Sequence, residues 1–306
     1  MDGFLTVNKP QGLTSHDVVH RIRRWSGEKR VGHGGTLDPL ATGVLPIALG
    51  YGTRLLEFVS GPKVYRAEIE FGKATDTYDA EGVVIAERDA AGLTEAAVRE
   101  ALAAFVGELE QQPPAFSAIK HEGKPLYTYA RSGVAVAVPP RKVSIFRNTL
   151  LAWLTPVASI EVVCSKGTYV RSLAHDLGQV LGCGAFLKAL VRTQDGAFTL
   201  DRSLELEELQ GAFMENVGAS YLLPMEHVVA EWPFVVLDAM QESRVLHGQP
   251  LPLTQVKLQY SGAAEHSPSP LYCRATSANG QMRAVLKRAP GSFLWEPIKV
   301  FPPHLS

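Results

Sequence analysis

The feature that most constrains this chain is a glycine-rich stretch near its start, residues 32–43, which contains four Gly residues and one Pro. Glycine and proline at this density interrupt both helical and strand periodicity, so no regular element is predicted here. The stretch also carries an imidazole, His33, and a carboxylate, Asp38. We therefore predict a shaped loop that presents polar side chains between regular elements.

The 306-residue chain otherwise has the composition of a globular protein, with 46% hydrophobic residues and 30 basic against 31 acidic side chains. This length suffices for one large core and a smaller satellite domain. No apolar stretch approaches the about 20 residues that a membrane span needs, and the first residues do not read as a secretory signal. Cys164, Cys183 and Cys273 form no C-x-x-C pair, which indicates a reducing compartment. We expect a cytoplasmic protein.

Charge is distributed unevenly along the chain, although the formal net charge is only −1. Residues 1–66 carry a net charge of +4, residues 67–112 carry −8, residues 113–192 carry +7 and residues 193–306 carry −4. Folding could bring the two basic segments together as one positive surface that faces a phosphate backbone. Solvated protein faces also produce such runs, so charge alone leaves the partner open.

Regular elements are predicted on both sides of the glycine-rich stretch. Residues 4–7 have the β-rich sequence of a strand, and a turn follows at residues 9–12. A helix is predicted next, with Thr14 or Ser15 as its N-cap, because apolar residues recur at helical spacing after it. After the stretch, residues 65–71 alternate apolar and polar side chains, which predicts a half-buried strand with the Tyr65 ring pointing inward.

Further elements are predicted later in the chain. Thr94 is expected to cap a helix over residues 94–106, and strands are expected at residues 143–150 and 159–164. The helix that follows is expected to have Thr168 as its cap and Gly182 as its end. After about residue 228 the sequence changes to short strands with many Pro residues, and the pair Asn279-Gly280 predicts a hairpin.

Two common ligand motifs are only approximated. The pentad from His16 to His20 resembles H-E-x-x-H, in which two histidines one helical turn apart bind zinc, but it has Asp in place of Glu and no third ligand follows. A solvated helix face explains the pentad better. The three G-x-G sequences each lack the third glycine of a dinucleotide fingerprint, and no G-K-[ST] sequence occurs. Nucleotide cofactor binding is therefore not predicted.

Two charged residues are candidates for chemistry. Asp38 is a carboxylate within the glycine-rich stretch, although an Asp-Pro turn is the commoner meaning of this dipeptide. Arg171 lies in the first turn of a predicted helix, where the helix dipole disfavours a cation, so an anion is expected nearby. A weak surface ion pair would also satisfy Arg171. From the residues alone, both roles stay open.

Four sequence blocks, taken in order, resemble the TruB-type tRNA pseudouridine synthases. They are K-P-Q-G-L-T-S-H at 9–16, V-G-H-G-G-T-L-D-P-L-A-T-G-V-L at 31–45, Q-P-P-A-F-S-A-I-K at 112–120 with L-Y-T-Y-A-R at 126–131, and K-G-T-Y-V-R-S-L at 166–173 with H-D-L-G at 175–178. Several blocks in the same order are far more specific than a single glycine motif. The resemblance covers residues 4 to about 195, and one departure is Gly34, where the family usually has Thr or Ala.

The resemblance implies an α+β fold. The expected pseudouridine synthase domain, residues 1–228, has a mixed, mainly antiparallel central sheet flanked by helices, and residues 229–306 form a small β domain like a PUA module. The implied activity is isomerisation of uridine to pseudouridine at position 55 in the T-loop of tRNA, by base flipping and by breaking and re-forming the glycosidic bond. This redox-neutral reaction needs no cofactor and no metal.

The resemblance also assigns roles to individual residues. Asp38 is the expected catalytic carboxylate, and the charge of Arg171 is expected to lower its pKa and keep it ionised. Tyr65 is expected to stack on the target uracil and to help to remove the C5 proton. His33 is expected to fill the space that the flipped nucleotide leaves. The other expected contacts are to the pocket, from Lys9, Pro10, Tyr169 and Leu190, and to RNA phosphates, from Lys120, Lys124, Arg131, Arg141 and Lys142.

Other interpretations remain open at this point. A backbone-held loop histidine and a plain core leucine are the alternatives for His33 and Leu190. A tRNA-binding or RNA-folding factor could use the same cleft without chemistry, and a zinc hydrolase built on His16 and His20 is a distant third. Because the chain begins almost at the first family block, it is expected to be the stand-alone form, which needs no guide RNA. It is also expected to act on the T-stem-loop of tRNA as a monomer, without an obligate protein partner or a membrane.

Overall fold

The computed structural model describes residues 1–117, 119–134, 136, 138–260 and 271–303 of the chain. At four further positions it describes the backbone only: Lys120, His121, Tyr127 and Arg131. Two of the predicted phosphate contacts, Lys120 and Arg131, therefore have side chains outside the described structure.

The described residues form six α-helices and eighteen strands. The helices are α1 (Ser15–Ser26), α2 (Glu95–Ala104), α3 (Leu126–Arg131), α4 (Val170–Val180), α5 (Leu206–Met214) and α6 (Ala239–Leu246). The strands are β1 (Gly3–Lys9), β2 (Val31–His33), β3 (Thr42–Leu49), β4 (Lys63–Phe71), β5 (Lys73–Thr75), β6 (Val84–Glu87), β7 (Gly107–Gln111), β8 (Lys120–His121), β9 (Lys124–Pro125), β10 (Arg141–Leu154), β11 (Val157–Cys164), β12 (Ala185–Asp195), β13 (Phe198–Thr199), β14 (Phe234–Val236), β15 (Leu251–Pro252), β16 (Tyr272–Thr276), β17 (Met282–Lys287) and β18 (Leu294–Val300).

The main sheet has nine strands and is mixed but mainly antiparallel. Its hydrogen-bonded order is β1-β3-β12-β4-β11-β10-β7, with β2 beside β3 and β13 beside β12. The contact between β3 and β12 is parallel, and it places Thr42 and Gly43 beside Val191 and Arg192. This contact brings the end of the glycine-rich stretch next to the strand that follows α4. The sheet confirms the predicted α+β class.

Thr14 is the N-cap of α1, one of the two residues predicted for that position. Its hydroxyl oxygen accepts a hydrogen bond from the Asp17 N–H at 3.1 Å, and an Asp17 carboxylate oxygen accepts one from the Thr14 N–H at 2.9 Å. This reciprocal pair determines where the helix begins. Val18, Val19 and Ile22 belong to the main core, so the apolar face predicted from the sequence is the buried one.

Strand β4 lies at the centre of the main sheet, between β12 and β11. One face of the strand is buried, as its alternating sequence predicts: Lys63, Tyr65, Ala67, Ile69 and Phe71. Tyr65 is only 6% exposed. The prediction that its ring points inward is therefore confirmed.

The glycine-rich stretch is more regular at its ends than predicted. Val31–His33 forms β2 and Thr42 begins β3, so only residues 34–41 are irregular backbone. Strand β2 lies antiparallel to β3, and the Gly34 N–H continues this contact by donating to the Pro46 carbonyl at 2.8 Å. A strand partner supplied by the tertiary fold thus overrides the weak local propensity of the sequence.

The predicted cap of α4 is wrong by one residue. Tyr169, and not Thr168, is the N-cap. The Thr168 hydroxyl donates to the Ser165 carbonyl at 3.0 Å within the preceding turn, and a Gln111 side-chain oxygen accepts the Tyr169 N–H at 2.7 Å. A hydroxyl engaged in that turn does not serve the helix. Thr94, by contrast, caps α2 as predicted.

A second sheet of five strands follows the main one, in the order β14-β16-β17-β18-β15. The hairpin predicted at Asn279-Gly280 connects the antiparallel strands β16 and β17. Gly280 has a φ of 81°, which glycine adopts without strain. Trp295 is 1% exposed in a separate core of this sheet. The predicted small C-terminal β domain is confirmed.

A hydrophobic cluster joins the two sheets. Phe4 and Phe58 contribute to it from the main domain, and Met282, Val285 and Phe301 contribute from the C-terminal domain. Each of these side chains is at most 8% exposed. Burial of large apolar side chains between two domains resists their separation. The C-terminal domain is therefore packed directly on the main domain.

No helix in the described structure is both long enough and apolar enough to cross a membrane. The three cysteines, Cys164, Cys183 and Cys273, are free and buried. Burial raises the pKa of the Cys164 thiol to about 11 and that of Cys273 to about 12. These side chains act as small apolar core groups.

Gly43 is a position where the fold requires glycine. Its φ is +99°, and a Cβ atom there would lie 2.2 Å from the Arg192 carbonyl oxygen. We expect Gly43→Ala to lower the free energy of unfolding by at least about 2 kcal/mol, because both the backbone conformation and the neighbouring strand resist the methyl group. The measurement is urea unfolding of the variant and the parent protein.

Gly92→Ala is the control for this substitution. No described atom lies within 4 Å of a Cβ built on Gly92, so the change should alter the free energy of unfolding by less than about 0.5 kcal/mol. Equal unfolding midpoints for the two alanine variants would contradict the prediction.

Candidate active site

The irregular residues 34–41 hold Asp38 next to the beginning of α1. The Ser15 hydroxyl binds both backbone polar groups of Leu37. Its Oγ accepts a hydrogen bond from the Leu37 N–H at 2.8 Å and donates one to the Leu37 carbonyl at 3.1 Å. The Ala41 N–H donates to the Asp38 carbonyl at 3.0 Å and closes a turn. The Asp-Pro turn expected from the sequence is therefore present, and it is anchored to α1.

Arg171 binds two carboxylates at the beginning of α4. Its side chain is 5% exposed, its Nε lies 2.9 Å from an Asp38 carboxylate oxygen, and its Nη1 lies 3.4 Å from one of Asp79. Nη1 also donates to the Thr77 carbonyl at 3.2 Å, and Nη2 donates to the Phe116 carbonyl at 2.9 Å. A guanidinium group has the donors and the shape for such a divergent set. The sequence predicts one anion beside Arg171, and the structure places two there, Asp38 and Asp79.

Asp79 is a site residue that the sequence reasoning missed. It is 3% exposed, and its carboxylate accepts hydrogen bonds from the Thr77 hydroxyl at 2.5 Å and from the Glu81 N–H at 3.1 Å. It lies in the acidic segment 67–112. From the sequence alone, a carboxylate in such a segment is interpreted as part of a solvated surface. Its local hydrogen bonds are those of an Asx turn, and such a turn does not point to an arginine on a distant helix.

The Asp38 carboxyl is more easily protonated than an ordinary aspartate. Burial raises its pKa, the Arg171 guanidinium lowers it, and the neighbouring Asp79 raises it again. Arg171 does lower the pKa of Asp38, as predicted. The prediction that the pKa is low overall is wrong, because burial and the charge of Asp79 together outweigh the effect of Arg171. The side chain is nevertheless 37% exposed, so a substrate can reach it.

Lys9 ties the turn after β1 to the Asp38 loop. It is fully buried at the end of β1. Its ammonium group donates to the carbonyls of Leu13 at 2.7 Å, Pro10 at 2.9 Å and Pro39 at 3.4 Å. Burial lowers the pKa of Lys9 to about 8, and the charge of Asp38 opposes this decrease. The structure thus places Lys9 beside the Asp38 loop, with the Pro10 carbonyl bound to its ammonium group, and the contacts of both residues to a substrate stay predictions.

Tyr65 lies between Arg192 of β12 and Val162 of β11 in the register of the sheet. Burial raises the pKa of its phenol to about 12, and the charge of Arg192 opposes this increase. The phenol is therefore protonated at neutral pH. A flat neutral ring fits the expected stacking on a base, and the expected help of Tyr65 in removing the C5 proton stays a prediction.

His33 ends β2 and is partly buried. Burial lowers the pKa of the imidazole, and the charges of His16 and Arg192 lower it further, so the ring is neutral at pH 7. Its Nδ1 is buried and has no hydrogen-bond partner within the described part of the chain. A backbone contact with Gly35 opposes the decrease of the pKa, so a loop histidine held by the backbone stays an alternative for His33.

Tyr169 and Leu190 reach the site from two further elements. Tyr169 precedes α4, and the Gln111 side chain binds both its N–H, at 2.7 Å, and its carbonyl, at 3.0 Å. Leu190 is two residues before Arg192 on β12 and is 7% exposed within the main core. The pocket role and the plain core role therefore both fit the position of Leu190.

Basic side chains at the beginning of β10 lie near the N-terminus of α4. Arg141 pairs with Gln111 of β7, whose side chain binds Tyr169. Three of the five predicted phosphate contacts have described side chains, and these are exposed: Lys124, Arg141 and Lys142. Exposed cations of this kind can bind a polyanion.

The rings of His16 and His20 lie edge to face on α1, with their centres 4.6 Å apart. Both residues are exposed. Among the described residues, no group of three His, Cys, Asp or Glu side chains is arranged to hold a metal ion. The pentad therefore matches a solvated helix face.

Two family models match consecutive parts of the chain. The model described as the N-terminal domain of TruB family pseudouridylate synthase matches residues 23–170, and the model described as the tRNA pseudouridylate synthase B C-terminal domain matches residues 171–230. A protein named tRNA pseudouridine synthase B from Dehalococcoides mccartyi is 43% identical over 305 residues, which cover 98% of this chain and 97% of the relative. The protein of the same name from Gloeobacter violaceus is 48% identical over 256 residues, covering 82% and 87%.

Two solved structures have a similar fold over nearly the whole chain. A chain in the structure of an H/ACA RNP bound to a substrate RNA containing 2′-deoxyuridine has a TM-score of 0.74 at 23% identity, covering 99% of this chain and 86% of that chain. A chain in the crystal structure of a Cbf5-Nop10-Gar1 complex has a TM-score of 0.75 at 25% identity, covering 98% and 85%.

The raised pKa of Asp38 predicts how stability depends on pH. A carboxyl group whose pKa is higher in the folded state binds more protons there, so stability falls as the pH rises through that range. We expect Asp38→Asn to be more stable than the parent protein at pH 7, with a difference that shrinks as the pH falls and Asp38 becomes protonated in both states.

Thermal unfolding of both proteins between about pH 4 and pH 8 measures this difference. A lower melting temperature for Asp38→Asn at pH 7 would contradict the prediction, because it would show that the pairing with Arg171 outweighs burial.

Proposed function

The chain belongs to the TruB family of pseudouridylate synthases, and we propose that it converts the uridine at position 55, in the T-loop of tRNA, into pseudouridine. The chain is an isomerase with the pseudouridine synthase fold that its sequence predicts. The names of its relatives support tRNA as the substrate. The observation that carries the proposal is the buried cluster in which Arg171 binds Asp38 and Asp79.

The isomerisation exchanges one bond of the ribose for another. The bond between C1′ and uracil N1 breaks, a bond between C1′ and C5 forms, C5 loses a proton and N1 gains one. No electrons are exchanged with a cofactor. An ionised oxygen beside C1′ assists this exchange, because positive charge develops on the sugar as a base departs. We assign this oxygen to Asp38, a partly exposed carboxylate beside a buried cation.

Arg171 gives the Asp38 carboxylate its direction. Its Nη atoms contact Asp79 and two backbone carbonyls, and these contacts hold the guanidinium beside Asp38. Because burial raises the pKa of Asp38, its ionised form is less stabilised than in water. A carboxylate in this state is more basic, and it interacts more strongly with a developing positive charge.

The target uridine reaches Asp38 in this proposal by leaving the base stack, which costs a few kcal/mol. Tyr65 offers a flat protonated ring on which the extruded uracil can stack. The neutral imidazole of His33 occupies the space that the nucleotide leaves. The remaining walls of the pocket are contributed by Lys9, Pro10, Tyr169 and Leu190.

Contacts outside the pocket are electrostatic in this proposal. Phosphates of the T-stem-loop meet the exposed basic residues, which position the RNA without reading its sequence. These residues are Lys124, Arg141 and Lys142, together with Lys120 and Arg131. As the resemblance of the sequence implies, we propose that the chain acts as a monomer in the cytoplasm, without guide RNA or obligate protein partner.

The second candidate function is a tRNA-folding factor without chemistry. Docking of RNA does not need a partly buried carboxylate, which repels phosphate, beside basic residues. The raised pKa of Asp38 shows that the fold does not gain stability from its charge. A role in the reaction explains this carboxylate, and a role in docking does not.

Asp38→Asn is expected to abolish turnover and to leave the affinity for tRNA within about tenfold of the parent value, because it removes a charge used in the reaction and not in docking. Pseudouridine mapping of an unmodified tRNA transcript measures turnover, and a binding titration measures affinity. Asp201→Asn makes the same change at an exposed carboxylate and should modify the transcript like the parent protein.

Each result of this experiment has a distinct meaning. Modification of the T-loop uridine by the parent protein and its absence with Asp38→Asn would support both the substrate and the catalyst. Tight binding by the parent protein without modification would favour the folding factor. A large loss of affinity in Asp38→Asn would count against Asp38 as the catalytic residue.

Base flipping predicts a separate signal. When 2-aminopurine stands next to the target uridine, its fluorescence should rise as tRNA binds to Asp38→Asn, because the neighbouring base leaves the stack. Adding His33→Ala should reduce this rise by at least about threefold, because a methyl group cannot occupy the vacated space. Stopped-flow fluorescence measures both, and tight binding without any rise would argue against flipping.

A further inference from the structure

A second buried charge cluster lies on the same face of the main sheet as Tyr65, and the reaction above does not use it. It consists of Lys63 on β4 and of Arg192 and Asp195 on β12, each at most 6% exposed. Lys63 Nζ lies 2.5 Å from an Asp195 carboxylate oxygen, and Arg192 Nη1 lies 3.4 Å from the same oxygen. Two cations therefore share one anion in the interior.

A bulge in β12 assembles this cluster. In a regular antiparallel pair, the residues opposite Tyr65 and Lys63 are two apart in sequence. Here Arg192 is opposite Tyr65, but Asp195 is opposite Lys63, because the register shifts between Arg192 and Gln194. Without the extra residue, Gln194 would lie opposite Lys63. With it, the buried Asp195 lies there. Bulges that re-aim a side chain in this way are frequent beside active sites.

Arg192 connects the cluster to both halves of the candidate active site. Its Nη2 donates to the Gly35 carbonyl, in the loop that carries Asp38, at 3.2 Å, and its Nε donates to the Val44 carbonyl at 2.8 Å. On its other side it is the cross-strand neighbour of Tyr65. The loop with the carboxylate and the strand with the stacking ring are thus held by one guanidinium.

Gly35 rests directly on the cluster. A Cβ atom at this position would lie 3.0 Å from Lys63 Nζ, 3.2 Å from Asp195 Oδ2 and 3.5 Å from Arg192 Nη1. A methyl group at this position would therefore require the neighbouring charged atoms to move by a few tenths of an ångström. Any displacement of these charges is transmitted to the loop backbone.

We propose that Lys63, Asp195 and Arg192 are positioning residues that set the arrangement of the Tyr65 ring relative to the Asp38 carboxylate. This inference rests on the proposed function of the same site. The base must lie on Tyr65 while its sugar lies at Asp38, and a displacement of about 1 Å can cost about a hundredfold in rate. Buried ion clusters of this kind are often no more stabilising than apolar residues, so positioning explains their presence better than stability.

The test is Lys63→Met in the full-length protein, with a tRNA transcript as the substrate. Without the ammonium group, Asp195 keeps only Arg192 as a cation, which draws Arg192 away from Gly35. The single-turnover rate of pseudouridine formation is expected to fall by at least about tenfold, while the Kd for tRNA changes by less than about threefold.

Lys188→Met is the matched control. Lys188 of β12 pairs with Glu70 of β4 at 3.3 Å, so it joins the same two strands, but at a position where Lys188 is 43% exposed. This variant should keep both the rate and the affinity of the parent protein. A rate loss as large as that of Lys63→Met would overturn the proposal, because any ion pair between these strands would then have the same effect.

Gly35→Ala provides a second test that keeps every charge. The added methyl group displaces Lys63 Nζ by a few tenths of an ångström. The single-turnover rate should fall by at least about threefold, with a melting temperature within about 2 °C of the parent value. If Lys63→Met does not fold, the rate of Gly35→Ala tests whether the cluster positions the active site.

The signal of Tyr65 distinguishes positioning from a purely structural role. In protein with ¹³Cζ-labelled tyrosine, the resonance that disappears in Tyr65→Phe belongs to Tyr65. Lys63→Met should shift this resonance, and Lys188→Met should not. An unshifted resonance, or unchanged single-turnover rates for Lys63→Met and Gly35→Ala, would overturn the proposal. If the parent protein does not modify tRNA, the proposed function fails, and the resonance still decides whether the cluster positions the ring.

Discussion

The guanidinium of Arg171 is the group on which the candidate active site depends. A buried cation at the N-terminus of a helix is unfavourable by itself, because it loses hydration and meets the positive end of the helix dipole. Two carboxylates, Asp38 and Asp79, compensate it from two different segments of the chain. Burial raises the pKa of Asp38, Arg171 opposes this increase, and the charge of Asp79 adds to it. The fold thus accepts a loss of stability at the carboxylate to which we assign the reaction.

The topology of the main sheet explains how these segments meet. Strand β12 lies between β3 and β4, parallel to the first and antiparallel to the second. The parallel contact brings the end of the Asp38 loop to Arg192, and the antiparallel contact brings Tyr65 to the same residue. Lys9, at the end of β1, binds the carbonyl of Pro39 in the same loop. The irregular backbone around Asp38 is therefore held from several sides.

Local rules predicted many of the elements correctly, because their causes lie within a few residues. The capping box of Thr14 and Asp17, the alternation that turns Tyr65 inward and the hairpin at Asn279-Gly280 are of this kind. The errors have non-local causes. Strand β2 exists because β3 pairs with it, and Tyr169 replaces Thr168 as the cap of α4 because Gln111, from β7, binds its N–H.

The sequence by itself determined the class of fold, the family and the candidate residues Asp38, Arg171 and Tyr65, because sequence blocks and short-range periodicity are sufficient for these. Only the tertiary structure decided that Asp79 shares Arg171, that a bulge in β12 places Asp195 against Lys63, and that the pKa of Asp38 is raised. These properties depend on burial and on charges that come from distant segments. Electrostatic effects of this kind are set by position in space, and the order of residues does not reveal them.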